Sequence, residues 1–171
     1  MKDRLEALDG THSEMGKHFG DGLPMDANVE LTLLDSSGRV KDRRHIHNTM
    51  ATLGKNSIMN LVATTPTQVK PGWMELGTGT GGTTKLALYI ASSRTALDSS
   101  TNTAATNAVL TMVCTFGAGV GTGAVTEAGV FSVVTQDTVA ATTPMYCYSS
   151  FSVINKAAGD SLVITWTITL S

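Results

Sequence analysis

The sequence predicts an all-β protein: an antiparallel β-sandwich or jelly roll with one short helix and an extended N-terminal arm. Two observations carry this. Residues 162–170 alternate strictly, with Leu162, Ile164, Trp166, Ile168 and Leu170 on one face and Val163, Thr165, Thr167 and Thr169 on the other, the period of a strand with one buried face. Clusters of Gly, Ser and Thr then punctuate residues 73–170 into short strand-compatible runs with no helical pattern between them, which favours an antiparallel sheet pair over a parallel sheet.

Taken in order, residues 1–27 mix charges with Gly10, Gly16, Gly20, Gly22 and Pro24 and show only a faint helical pattern around Leu5 and Leu8. Such a segment cannot bury a core of its own, so it reads as an arm. From residue 28 the pattern changes. Val29, Leu31 and Leu33 alternate with Glu30 and Thr32, and Asp35 to Gly38 supplies turn chemistry before residues 39–47, which predicts a β-hairpin. Met50, Leu53, Ile58, Leu61 and Val62 fall near helical spacing over residues 49–63, with Asn48 or Thr49 as the N-cap. A linker with Pro66 and Pro71 follows, then strand-like runs at 73–77, 85–92, 107–117, 125–135, 139–154 and 160–170. The division is thus 1–27 arm, 28–63 hairpin plus helix, and 64–171 sandwich body, with 28–171 as one folding unit. A chain of 171 residues suits one such core.

Composition narrows the function. Hydrophobic residues make up 42% and charged residues 15%, against about 25% charged in an average domain. Of the 26 charged side chains, 17 lie in residues 1–60 and only 9 in residues 61–171, so the body has a charge-poor surface that calls for a protein partner. The net charge is −2 with no basic stretch, which argues against nucleic acid. No apolar run of about 18 residues is present and the charged N-terminus lacks a signal-like segment, so neither a membrane nor secretion is expected.

Each candidate for chemistry has a plainer reading. Gly77, Gly79 and Gly82 match a dinucleotide fingerprint after a strand-like segment, but Thr83 to Ile90 is β-compatible rather than the helix a pyrophosphate needs. The glycine run from Gly117 to Gly123 lacks the Lys and Ser/Thr of a phosphate loop and reads as a strand connection. His45 and His47 share a strand face without a third ligand nearby, so no metal site is assigned. No nucleophile elbow occurs, and Glu75, Asp98, Glu127, Asp137 and Asp160 stand singly, so no catalytic residue and no cofactor are expected. Cys114 and Cys147 read as strand residues and as free thiols, although a pairing between neighbouring strands is geometrically open. Tyr146 and Tyr148 fall on one strand face, opposite Met145 and Cys147, and with Trp73 and Tyr89 are the only aromatic candidates for a sugar platform or a subunit contact.

Four stretches in fixed order carry a resemblance: Asn48 to Leu61, then Met74 to Thr80 with its Leu-Gly-Thr-Gly-Thr core, then Val125 to Phe131 containing Thr-Glu-Ala-Gly, then Ala158 to Ser171 with Ala-Gly-Asp-Ser-Leu and Thr-Trp-Thr. Together they resemble bacteriophage structural proteins, in particular capsid decoration (cement) proteins and, in part, tail-fibre or baseplate attachment domains. The resemblance spans about residues 28–171 and implies a non-enzymatic virion protein, assembled in the host cytoplasm. Its partners would be the major capsid protein and other copies of itself, in a homotrimer. The arm and hairpin ahead of the helix, and the stop at Ser171, favour shell decoration over a tail adaptor. A carbohydrate-binding sandwich module is the alternative from another class.

Overall fold

A computed structural model describes residues 25–48, 50, 52–63, 65, 67, 69–82, 85–104, 108–136 and 145–170. The arm expected over 1–27 lies outside these residues except for its last three, which belong to a strand.

That strand is β1 (Met25–Leu34), joined to β2 (Val40–Asn48) by a tight turn. The Asp35 carboxylate closes the turn by accepting from the Ser37 amide at 2.8 Å and the Arg39 amide at 3.0 Å, the side-chain mimicry of backbone that makes Asp a turn residue. Helix α1 (Thr52–Leu61) follows. Then come β3 (Trp73–Gly77), β4 (Thr95–Ala96), β5 (Ser99–Ala104), β6 (Ala108–Phe116), β7 (Gly123–Phe131), β8 (Met145–Lys156) and β9 (Ser161–Leu170).

The strands form two sheets, β2-β1-β9-β6-β5 and β4-β3-β7-β8, and every pairing between them is antiparallel. The described residues form an all-β sandwich with one short helix. The hairpin does not stand apart from the body, because β1 pairs along its whole length with β9, from Met25 opposite Leu170 to Leu34 opposite Ser161.

Alternation decides what is buried. The inward set Leu162, Ile164, Trp166 and Ile168 is at most 4% exposed and packs with Val29, Leu31, Met112, Cys114 and Phe116 against Met74, Leu76, Val130 and Ile154 of the other sheet. Burial of each large side chain contributes roughly 1.5–3 kcal/mol.

Several expectations need correction. Asn48 is the last residue of β2, paired with Ala27, and not a helix cap; Thr49 lies outside the described residues. Residues 85–92 form no strand beyond a single bridge between Gly77 and Tyr89. The strand expected over 125–135 ends at Phe131, and that expected over 139–154 is described from Met145. The short strands β4 and β5 were not expected.

Tyr146 and Tyr148 do not share a face. Phe131 is opposite Met145 and Val130 opposite Cys147, so Tyr146 is an extra residue in β8, and a bulge of this kind reverses the alternation. Tyr146 joins the main core, while Tyr148 packs against the Leu86, Phe131 and Met145 cluster on the other side of the sheet.

Candidate functional site

The charged side chains retained in the charge-poor body are mostly inside it. Among its nine, Glu75, Glu127, Lys156 and Asp160 are at most 4% exposed, and the Arg94 side chain is 5% exposed. Charge in such positions must be satisfied internally, and each group here ties a loop to a strand.

Glu127 is the centre of the first tie. It points to the outer side of the four-stranded sheet and is 0% exposed. Its Oε1 accepts from the Gly79 amide at 3.1 Å and the Leu88 amide at 2.8 Å, and its Oε2 from the Ala87 amide at 3.1 Å and the Tyr148 hydroxyl at 3.1 Å. The Tyr148 oxygen in turn accepts from the Gly81 amide. A carboxylate that takes amides 87 and 88 withholds them from a ladder, which is why the β-compatible run 85–92 does not become a strand.

The glycines of the same motif make the approach possible. A Cβ on Gly77 would sit 2.5 Å from Glu127 Oε1, and one on Gly79 would sit 2.8 Å from it. The Leu-Gly-Thr-Gly-Thr and Thr-Glu-Ala-Gly segments are two halves of one interlock. Within the glycine motif the Glu127 carboxylate already takes the Gly79 amide and the Tyr148 oxygen takes the Gly81 amide, two donors that a phosphate-binding loop would have to offer.

The second tie is Glu75 with Arg94. Arg94 Nη2 lies 2.8 Å from Glu75 Oε2, its Nη1 donates to the Val133 carbonyl at 2.8 Å, and its guanidinium stacks 3.7 Å from the Phe131 ring centre. Gln136 donates to the other Glu75 oxygen at 2.5 Å. The third tie lies at the closing motif. Lys156 Nζ donates to the Gly117 carbonyl at 2.9 Å and the Asp160 carbonyl at 2.7 Å, while the Asp160 carboxylate takes the Ala157 amide at 3.0 Å and Lys41 at 2.6 Å. The Lys41 hydrogen bond holds the Asp160 carboxyl below its ordinary range, and burial pulls the Lys156 ammonium down.

The helix motif is scaffold as well. A Cβ on Gly54 would fall 1.9 Å from the Tyr146 carbonyl oxygen, so only glycine lets α1 rest on the bulged backbone of β8.

No acid–base or nucleophilic set emerges from this polar network. Cys114 and Cys147 are both buried and free, one in each sheet; burial pushes the Cys114 thiol up to about 12 and the Cys147 thiol upward as well, which suppresses the thiolate. His45 and His47 do share the outer face of β2, but each faces a carboxylate across the strand pair, with His47 Nε2 2.5 Å from Asp26 and His45 Nδ1 3.7 Å from Glu30. No group of three metal-binding side chains occurs among the described residues, and no described helix is long and apolar enough to cross a membrane. Tyr146 is 1% exposed, with its hydroxyl donating to the Val69 carbonyl at 2.6 Å, so it offers no platform for a sugar.

The surface feature that remains is the outer face of the five-stranded sheet. Its β1–β2 side is charged and internally paired, with Arg43 2.5 Å from Glu30. Its β9–β6–β5 side carries no charge. Register places Thr167, Thr111 and Thr101 in one row and Thr165, Val113 and Ser99 in the next. The β9 and β6 members are half-buried and those of β5 exposed.

Comparison with known proteins returns no matching family model, no matching curated protein and no matching solved structure.

Proposed function

We propose that this chain is a non-enzymatic structural protein of a bacteriophage particle, a capsid decoration (cement) protein that binds and stabilises the major capsid shell. The observation that carries this reading is the uncharged Thr and Val half of the five-stranded sheet. Covering it strips no charge of water, and interface cores are depleted of charged residues for that reason. The paired charges of β1 and β2 would form its polar rim. The four motifs that resemble phage structural proteins support the reading in a second way, since each has a scaffold role in the fold.

In this proposal residues 1–27 reach across neighbouring shell subunits while the sandwich stands on the surface as a homotrimer. An arm that orders on binding gives up affinity to its own entropy, and multivalent contact recovers it. A tail-fibre or baseplate adaptor is the second reading, favoured by the same motifs. Quantitative mass spectrometry of purified particles separates the two. A ratio to the shell subunit near one is expected for a cement protein, a few copies per particle would point to the adaptor, and absence from particles would overturn both.

A further inference from the structure

Sheet edges present unpaired backbone groups and are ordinarily guarded. At the β2 edge the guard is charge: Lys41, Asp42, Arg43 and Arg44 lie in the strand, and Arg44 reaches across to donate to the Ser152 and Val153 carbonyls. Those carbonyls lie in an irregular part of β8, where Val125 is opposite Ile154 but Glu127 is opposite Ser150. The same Arg44 therefore guards β8, helped by the bridge between Met50 and Cys147 and by α1 on the Tyr146 carbonyl. β4 is two residues long. β5 has none of these devices. It reads Ser-Ser-Thr-Asn-Thr-Ala, with no charge, proline or glycine, residues 99–103 are exposed, and among the described residues no strand pairs on its far side.

The open edge adjoins an apolar hollow. Asn102 pairs with Leu110 and Ser100 with Met112, so these β5 residues face inward. Beneath them lies a cavity of about 230 Å³ whose lining includes Ile58, Leu61, Pro71, Leu110 and Ile168. A second hollow of about 370 Å³ shares Leu61, Pro71, Asn102 and Leu110 with it and adds Lys70 and Ser100. Lys70 forms no ion pair among the described residues.

We propose that the β5 edge accepts an added strand, and that its occupant is an extended segment of another protein that alternates apolar with small polar side chains and carries a carboxylate. Main-chain hydrogen bonds to β5 would supply affinity, and the hollow would supply specificity by taking every second side chain, roughly 7 Å apart along a strand. The polar side chains would extend the Ser99, Thr101 and Thr103 row, and the carboxylate would meet Lys70. A second copy of this chain fits poorly, because pairing β5 with β5 would turn Ser100 and Asn102 toward an apolar hollow and bring two Lys70 ammonium groups to one interface. This inference stands apart from the identity of the assembly.

The test uses the full chain and a fluorescein-labelled peptide, Asp-Val-Thr-Val-Thr-Val-Thr-Val-Asp, followed by fluorescence anisotropy. Binding is expected, with a loss of roughly tenfold or more on Thr101→Lys, on Lys70→Glu, or on N-methylation of alternate peptide amides in the phase that faces β5, each equivalent to about 1.4 kcal/mol. Both substitutions are on exposed side chains, so circular dichroism should stay unchanged. No binding at about 1 mM peptide (a limit of about 4 kcal/mol), or equal binding of the peptides N-methylated in either phase, overturns the proposal. So does a dimer of the free chain that Thr101→Lys dissolves, which would make a second copy the occupant. Slow amide exchange throughout β5 in the free monomer would mean that the chain closes its own edge, and would overturn it too.

Discussion

Glu127→Gln changes one heavy atom and almost no volume, yet it removes a charge shared by four donors. If the amide oxygen keeps the Gly79 and Leu88 amides, two charge-assisted bonds become neutral ones, a loss of about 1 kcal/mol each. The new NH₂ then faces the Ala87 N–H, donor against donor, and an unpaired buried donor costs about 1–3 kcal/mol. The Tyr148 hydroxyl can turn to accept, and relief from burying a charge offsets part of the loss. The net destabilisation is roughly 2–4 kcal/mol, which for a chain of this size lowers Tm by about 5–15 °C. Thermal unfolding by circular dichroism gives the total, and amide exchange at Ala87 and Leu88 locates it. A Tm within about 2 °C of the parent, together with unchanged exchange at those amides, would refute the role of Glu127 as the anchor of this loop, since the expected shift per kcal/mol is about 2–4 °C.

Three further outcomes are expected. Gly54→Ala forces α1 off the Tyr146 carbonyl and should cost about 1–3 kcal/mol in urea unfolding; a change within about 0.5 kcal/mol, the scale of a neutral surface substitution, would show that the helix seat is not tight. Cys114 and Cys147 should resist alkylation in native protein at pH 8 and react fully in denaturant, and rapid native labelling would contradict their burial. Hydrogen bonds hold four carboxyls below their ordinary range: Arg43 for Glu30, Ser37 for Asp35 at about 2, Arg44 for Asp42 and Lys41 for Asp160. A depressed folded-state pKa gives stability that is complete above the unfolded value and lost as pH falls through the folded one. The urea midpoint should therefore be flat from about pH 7 to 5 and fall between about pH 4 and 2; a midpoint that stays level down to about pH 2 would contradict the role of these hydrogen bonds.

What could be read from the sequence was what one-sided burial writes into it. β9 shows its faces because Leu162, Ile164, Trp166 and Ile168 must point inward and Thr165 and Thr167 need not. β5 left no such mark, since residues 99–103 are polar and exposed whichever way they point. Residues 85–92 carry strand-like composition, but Glu127, some forty positions away, claims their amides. The tyrosine pair failed for a local reason: one extra residue opposite Val130 and Phe131 inverts a face, and nothing in the composition announces it. The buried hubs did have a signal. Glu75, Arg94, Glu127, Lys156 and Asp160 are charges kept in a stretch that otherwise avoids them.

The strand order also fixes when the fold can form during synthesis. β9 follows every other described strand in the sequence, yet it sits between β1 and β6, with Met25 opposite Leu170 on one side and Ala108 opposite the same residue on the other. Until that strand has emerged from the ribosome, the five-stranded sheet exists only as two unjoined hairpins, β1–β2 and β5–β6, each with an open edge. Assembly of the sheet therefore waits for β9 and closes a loop of more than a hundred residues between β1 and β9, a slow class of folding step. The nascent chain is most prone to aggregate in the interval just before it.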